Sequence, residues 1–315
     1  MGMLDSFIFS LNAALPVFLM MLAGKLLNKL GLFPESYASA TDKFVFKAAL
    51  PVLLFRDISS MDFRQDFDVK FVVFCALTSF VMFLAVWGLS YVFIRDKSMV
   101  GSFAQGAARG SAAILGIALA TNIYGSSGLA PLMIFAAVPV FNIMSVIILA
   151  CSSARKKKIS FKGILKSIVT NPIILGILSG LPFSVLDITL PTIVTGAVDS
   201  IAKTATPMAL LAIGASFSLS EAKKRLTPSL AASLVKLFVL PLVFLPVAVL
   251  LGFRDSSLVA IFVMLGSPTT VTSYVMAKNM DNDGTLASNI VMLATLLSSV
   301  SVTFWVFVLR QFSLI

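Results

Sequence analysis

Arg109-Gly110-Ser111-Ala112-Ala113-Ile114-Leu115-Gly116-Ile117-Ala118-Leu119, read beside Gly266-Ser267-Pro268-Thr269-Thr270, decides the fold. Both stretches lie in apolar runs long enough to cross a bilayer, yet both carry residues that break a helix. Gly101, Gly106, Gly110 and Gly116 recur within sixteen positions, and Thr272 and Ser273 follow Pro268 closely. A proline in a helix interior removes one backbone donor and clashes with the preceding turn, at a cost of about 3 kcal/mol or more. In lipid the freed backbone groups must find partners or line a cavity. Two interrupted helices crowded with hydroxyls therefore predict a polar gap inside a membrane protein.

The two stretches are one stretch written twice. At a constant offset of 156, Pro16 matches Pro172, Gly24 matches Gly180, Lys47 matches Lys203 and Pro51 matches Pro207. Gly110 and Ser111 match Gly266 and Ser267, and Gly128 matches Gly284, with no gap. Proline is rare, thirteen in 315, so two proline pairs at one offset argue against accident. Each half holds five apolar runs. An odd number sends the second half into the membrane from the opposite side, so the repeat is inverted. Inverted repeats characterise secondary transporters, whose substrate sites lie near the midplane between interrupted helices.

Composition agrees. The 315 residues are 58% hydrophobic and 12% charged, with a mean hydropathy of +1.01. Soluble domains run about 45–50% apolar and about 25% charged. The apolar runs fall at 6–28, 39–57, 69–94, 101–123 and 128–152, then at 168–183, 191–219, 226–251, 257–278 and 285–309. Each approaches the roughly 20 residues that one crossing needs. The expected fold is an all-α polytopic membrane protein: ten transmembrane helices in two inverted five-helix repeats, with the fourth and ninth broken and crossing. The repeats span 1–154 and 167–315, joined by a basic loop at 155–166.

Lysine and arginine orient the chain. Fourteen of them (Lys25, Lys29, Arg95, Lys97, Arg155, Lys156, Lys157, Lys158, Lys162, Lys166, Lys223, Lys224, Arg225 and Lys278) fall in alternate connections on one side, against five (Arg56, Arg64, Lys70, Arg254 and Arg310) on the other. The positive-inside rule makes the richer side cytoplasmic, so the 155–166 loop is cytoplasmic and both termini are extracytoplasmic. The net charge of +10 lies in these loops and does not indicate nucleic acid.

Histidine is absent, which excludes Ser–His catalysis and histidine-ligated metals. Cys75 and Cys151 read as small membrane hydrophobes. No cofactor, metal or enzymatic activity is expected. Charges within the spans are more informative, because one at mid-span costs at least about 2.5–3.5 kcal/mol and should face a cavity or a partner. Lys43 sits near a span end, beside Asp42 or solvent. Asp199 and Lys203, four apart on one helix, could neutralise each other. Lys47 is the repeat mate of Lys203. Lys236 stands at mid-span with no acid near in sequence, and Arg109 adjoins Gly110-Ser111. Two half-helix N-termini meeting there would attract an anion.

The chain resembles, over its whole length, the auxin efflux carrier family, which includes plant PIN-type carriers and bacterial malate and malonate permeases. The resemblance rests on Asn12-Ala13-Ala14-Leu15-Pro16, on the run from Lys47 through Pro51 to Phe55, on the run from Arg109 to Leu119, and on Gly266-Ser267-Pro268 through Lys278. It implies a scaffold of spans one, two, six and seven, a mobile transport domain of spans three to five and eight to ten, elevator-like motion, and a homodimer through the scaffold. It also implies that Asn142 faces the crossing. Relatives often carry Asn after the Arg-Gly, Pro after the Gly-Ile and a second Pro in span nine. This chain has Ser111, Ala118 and Ser273 in those places.

The expected function is secondary transport of a small organic anion, a mono- or dicarboxylate, across the inner (plasma) membrane. The candidate substrate site comprises Arg109, Gly110, Ser111, Gly116, Asn142, Gly266, Ser267, Pro268, Thr269, Thr272 and Ser273. Lys47, Lys203, Asp199 and Lys236 are candidates for coupling or for facing the scaffold. A proton is the expected coupling ion rather than sodium. The alternatives are a sodium-coupled symporter of bile-acid-carrier type, and a channel or sensor on the same fold.

Overall fold

The computed structural model describes residues 3–60, 68–111, 119–120, 123–124, 128–153, 166 and 169–315. Its regular elements are helices. Helix α1 spans Met3–Lys29. Helix α2, Glu35–Phe44, passes through a π turn at Val45–Ala49 into α3, Leu50–Ser59. Helices α4, Val69–Phe93, α5, Val100–Ala108, and α6, Ala130–Ser152, complete the first half. The second half holds α7, Pro172–Val185, α8, Thr192–Ser216, and the short α9, Leu219–Lys224. Helix α10, Leu226–Leu234, continues through a π turn at Val235–Val239 into α11, Leu240–Leu250. Last come α12, Asp255–Gly266, α13, Thr272–Asn279, and α14, Gly284–Gln311.

Local chemistry sets several boundaries. The Asp68 and Asp283 side chains accept hydrogen bonds from the Phe71 and Leu286 N–H groups, closing the first turns of α4 and α14. Asn171 does the same for α7 through the Ile173 N–H, ahead of Pro172. Both π turns have one cause. Pro51 and Pro241 are each the second residue of the helix that follows, and a proline ring collides with the carbonyl four residues back. Those carbonyls belong to Lys47 and Leu237, inside the turns, where the wider π geometry gives them room. Pro207, the repeat mate of Pro51, sits in α8 without such a turn.

Two large buried cores result, beside a small cluster of Phe33, Ala38, Ala212 and Ala215. One gathers Phe71, Met82, Phe83, Phe141, Phe262 and their neighbours from α4, α5, α6, α10, α11, α12 and α14. The other gathers Met21, Val45, Ile58, Ile173, Ile213 and Met276, mostly from the π turn after α2 and from α3, α7, α8 and α13, with α1, α6 and α14 contributing at its edges. Within the second core α1 packs on α8, and α3 on α7. Glycines make these approaches close: a Cβ added at Gly24 or Gly214 would overlap the Leu211 or Met21 carbonyl oxygen, and one at Gly176 would overlap that of Pro51. At Gly180 it would stand 2.8 Å from the Phe55 oxygen. Small residues at such contacts let membrane helices meet backbone to backbone.

Four helical stretches, Val69–Phe93, Ala130–Ser152, Leu226–Leu250 and Gly284–Gln311, are long and apolar enough to cross a bilayer. Large apolar side chains such as Leu19, Leu22, Val73, Leu77, Leu242 and Val300 point outward from the helices. The chain is an all-α, multi-pass membrane protein.

Candidate functional site

The site forms where α5 and α12 stop. Ser267 precedes Pro268, and a pre-proline residue is pushed out of the helical region; its ψ of 150° ends α12 at Gly266. Arg109, at ψ 119°, ends α5 in the same extended form without a proline. The extended segments then lie against each other. Gly110 and Thr269 form an antiparallel bridge, and the Ser111 N–H donates to the Pro268 carbonyl at 2.8 Å. The Thr269 hydroxyl donates to the Gly106 carbonyl at 2.7 Å. Groups freed by the two breaks thus satisfy one another, as a dry site requires. Glycine at 110 leaves room for polar groups: a Cβ there would overlap the Ser267 hydroxyl and stand 2.9 Å from Lys236 Nζ.

Two cations are buried here. Arg109 donates through Nη2 to Asn142 Oδ1 at 2.7 Å and through Nη1 to Ser145 Oγ at 3.2 Å and Met276 Sδ at 3.3 Å. Lys236 is fully buried, and its ammonium donates to the Met264 and Leu265 carbonyls at 3.0 and 2.7 Å. Those are among the last carbonyls of α12, the negative end of a helix dipole, which explains how a cation is held there. Among the described residues no carboxylate pairs with either cation. Arg109 Nε and the hydroxyls of Ser267 and Ser273 are buried and lack a hydrogen-bond partner. These three donors, together with two unpaired positive charges, suit a ligand rich in acceptors and negative charge.

Of the residues expected at the site, Arg109, Gly110, Ser111, Asn142, Gly266, Ser267, Pro268 and Thr269 come together, and Thr272 and Ser273 open α13 beside them. Gly116 lies outside the described residues. Of the two N-termini expected to meet, that of α13 comes to the crossing together with the C-termini of α5 and α12; residues 112–118, where the other would open, lie outside the described residues. Asp199 does not neutralise Lys203; it lies 3.8 Å from Arg56, which also holds Asp57 at 2.6 Å. Lys47 and Lys203 are exposed, away from the two buried cations. Asp42 pairs with Lys278 rather than Lys43, which places Lys278 in a helix contact and not in a free loop.

Three contributors went unnoticed in the sequence. Gln105 is buried one turn before Arg109, and its amide donates to Met276 Sδ at 3.4 Å. Ser145 stands three residues after Asn142, on the same face of α6. Helical spacing carried the signal in both cases. Met276 is a site residue only through its distant position in α13.

Residues 9–306 match the family described as "Membrane transport protein". The chain belongs to this family, that of the auxin efflux carrier-like transporters. A Rhizobium meliloti protein proposed by its name to be a malonate transporter is 25% identical over 306 residues, covering 94% of this chain and 95% of its own. An "Uncharacterized transporter" of Methanothermobacter thermautotrophicus is 23% identical over 311 residues, covering 96% and 99%. The protein is therefore a membrane transporter by family, and both breaks of the crossing fall within the matched region.

Proposed function

We propose that this family member is a secondary transporter of a small organic anion, a mono- or dicarboxylate, working by elevator-type alternating access. One observation carries the reading: among the described residues, Arg109 and Lys236 are buried at the meeting of two broken helices with no carboxylate paired to either, beside three donors that lack acceptors. A ligand carboxylate supplies both the charge and the acceptors. The name of the Rhizobium relative points to the same chemistry.

Reciprocal contacts support the inverted repeat. Gly24 abuts Leu211, and Gly180 abuts Phe55, so the second pair is the first with each residue replaced by its mate 156 positions away. The packing of α1 on α8 and α3 on α7 follows the same exchange. Helices occupy each of the ten apolar runs, in keeping with ten spans. A scaffold of spans one, two, six and seven rests on the packing of α1 on α8 and α3 on α7, with α6, α13 and α14 of the moving body sharing its core. The basic side would face the cytoplasm, a bias that survives the removal of Lys278 from the loops.

The test is uptake by purified protein in liposomes, with radiolabelled malonate, malate and an aromatic monocarboxylate offered separately, together with counterflow into preloaded vesicles. Saturable uptake and counterflow of at least one anion is the expected result. Absence of both for every carboxylate, in protein that remains monodisperse, would overturn the reading.

A further inference from the structure

Among the described residues the buried ionisable side chains of Asp, Lys and Arg are three: Arg109, Lys236 and Asp42. The first two belong to the crossing. Asp42, 2% exposed, is the buried acid, and it lies elsewhere, on α2 against α13. Its Oδ2 meets Lys278 Nζ at 2.6 Å and accepts from the Tyr274 hydroxyl at 3.1 Å. Lys278 also donates to that hydroxyl at 2.9 Å and to Ser216 Oγ, at the end of α8, at 3.5 Å. Asn279 donates to the Asp42 main-chain carbonyl at 3.3 Å. The other carboxylate oxygen, Oδ1, is buried and has no partner.

Resting on the transport reading above, we propose that Asp42 is the proton-binding site that couples transport to a proton gradient, with Lys278 as the partner that the proton displaces. A buried carboxylate deprived of its cation is an uncompensated charge and strongly unfavourable. A proton removes that charge as completely as a cation balances it, so pairing with Lys278 and protonation are alternative ways to keep Asp42 buried. Oδ1 offers the free lone pair. The side chain of Lys278 is 33% exposed against 2% for Asp42, so the ammonium can find water when released, and the carboxyl group cannot. The proton therefore goes to Asp42.

The step balances simply. Once Lys278 has moved off and admitted water, a hydronium ion gives up one O–H bond as one forms at Oδ1, leaving water, while Lys278 keeps its own proton and charge. When the moving body takes its other position and opens Oδ1 to water of the opposite side, that bond breaks, the proton leaves as hydronium and the ion pair re-forms. Lys278 is the charged group facing Asp42, and Tyr274 the titratable one; both come from α13. From α8 the facing group is neutral Ser216, and Asp199 of that helix is engaged by Arg56. Lys43, next in sequence, is exposed, and Lys25 of α1 turns to the Phe217 carbonyl at 2.7 Å. The coupling has a direct mechanical route. Tyr274 and Lys278 lie in the half-helix that starts at Thr272 beside the crossing, so protonation of Asp42 loosens the hold of that half-helix on α2 to the contacts of Tyr274 and Asn279.

The experiment uses liposomes containing the full chain and a trapped pH-sensitive dye, with the transported carboxylate from the uptake assay as probe. Wild type should move one proton with each anion. Asp42→Asn should bring the protons moved per anion to zero, at whatever anion exchange rate it retains. Lys278→Met keeps the acid and deletes the cation, so the pH of half-maximal uptake should move upward, because Asp42 then needs a proton to stay buried. A ratio unchanged in Asp42→Asn, or anion transport by wild type without proton movement, overturns this inference and leaves the transport reading standing. Failure of wild type to move any anion overturns both. Should Asp42→Asn not fold, an unshifted pH profile in Lys278→Met overturns the inference alone.

Discussion

Two regions of this molecule bring helices together in opposite ways. Where α1 meets α8 and α3 meets α7, intact helices touch backbone to backbone through Gly24, Gly214, Gly176 and Gly180. Where α5 meets α12, both helices stop, two extended segments pair through Gly110 and Thr269, and cations lie buried beside them. Glycine serves both, for different ends. In the first region the missing side chain removes distance between rods whose polar backbone is already satisfied. In the second it makes room for polar groups, and four of these, Arg109 Nε, Gln105 Oε1 and the hydroxyls of Ser267 and Ser273, stay unsatisfied. The first contact has nothing left to bind; the second does.

The sharpest way to break this contrast is to add bulk to each region. In Gly214→Leu the new Cβ would overlap the Met21 carbonyl, which is backbone and cannot rotate away. Overpacking typically costs about 1–3 kcal/mol and more when backbone must shift. Monodisperse protein after detergent extraction should fall about tenfold or vanish. Gly196→Leu is the control, because a Cβ there meets nothing within 4 Å. In Gly110→Ala the new methyl group meets the Ser267 hydroxyl and the Lys236 ammonium, both side-chain groups that can yield. Folded yield should be largely kept while anion uptake falls about tenfold, since site geometry rather than packing is lost. Equal losses of yield in Gly214→Leu and Gly110→Ala would erase the distinction.

The two cations sharpen it further. Lys236 holds main-chain carbonyls and Arg109 holds side chains. Lys236→Met leaves two buried carbonyls without donors, and hydrogen bonds to charged groups are worth about 1.5–3 kcal/mol each. Its melting temperature should drop by several degrees, read by thermal shift. Arg109→Gln should leave melting nearer to wild type and weaken anion uptake, because the Gln amide keeps a donor in place of the guanidinium and Met276 also accepts from Gln105. If Arg109→Gln transports every carboxylate at the normal rate, Arg109 is no part of the anion site.

How much of this was legible in the letters depends on what carries each interaction. The break at Gly266 is written plainly, since Pro268 dictates the conformation of Ser267. The break at Arg109 lacks a proline and was legible only through the 156-residue offset that ties Gly110 to Gly266. Lys236 stood out as a charge in an apolar run, but its partners are carbonyls, and a backbone carbonyl has no letter of its own. Asp42 and Lys278 are 236 positions apart, so no local spacing could join them. Proximity in sequence misled in two places, suggesting Lys43 for Asp42 and Lys203 for Asp199. The π turns show a similar limit: Pro51 and Pro241 announce a disturbance, and Pro207, in the same motif as Pro51, is accommodated without one.

The smallest expected effect belongs to the ion pair that replaced a predicted one. Asp199 lies 3.8 Å from Arg56, at the limit of direct pairing, and the two side chains are 37% and 30% exposed. Arg56 already has Asp57 at 2.6 Å, with Nε and Nη2 both donating to the same oxygen. Removing the Asp199 charge therefore strands no cation, unlike the removal of a partner from a buried pair. Exposed pairs of this kind contribute about 0–1 kcal/mol and are weakened by salt. Asp199→Asn should shift the melting temperature by no more than about 2 °C at low salt and less at high salt, with uptake unchanged. A loss of uptake with unchanged melting would show that this charge acts on the substrate path after all, and would extend the polar region well beyond the crossing of α5 and α12.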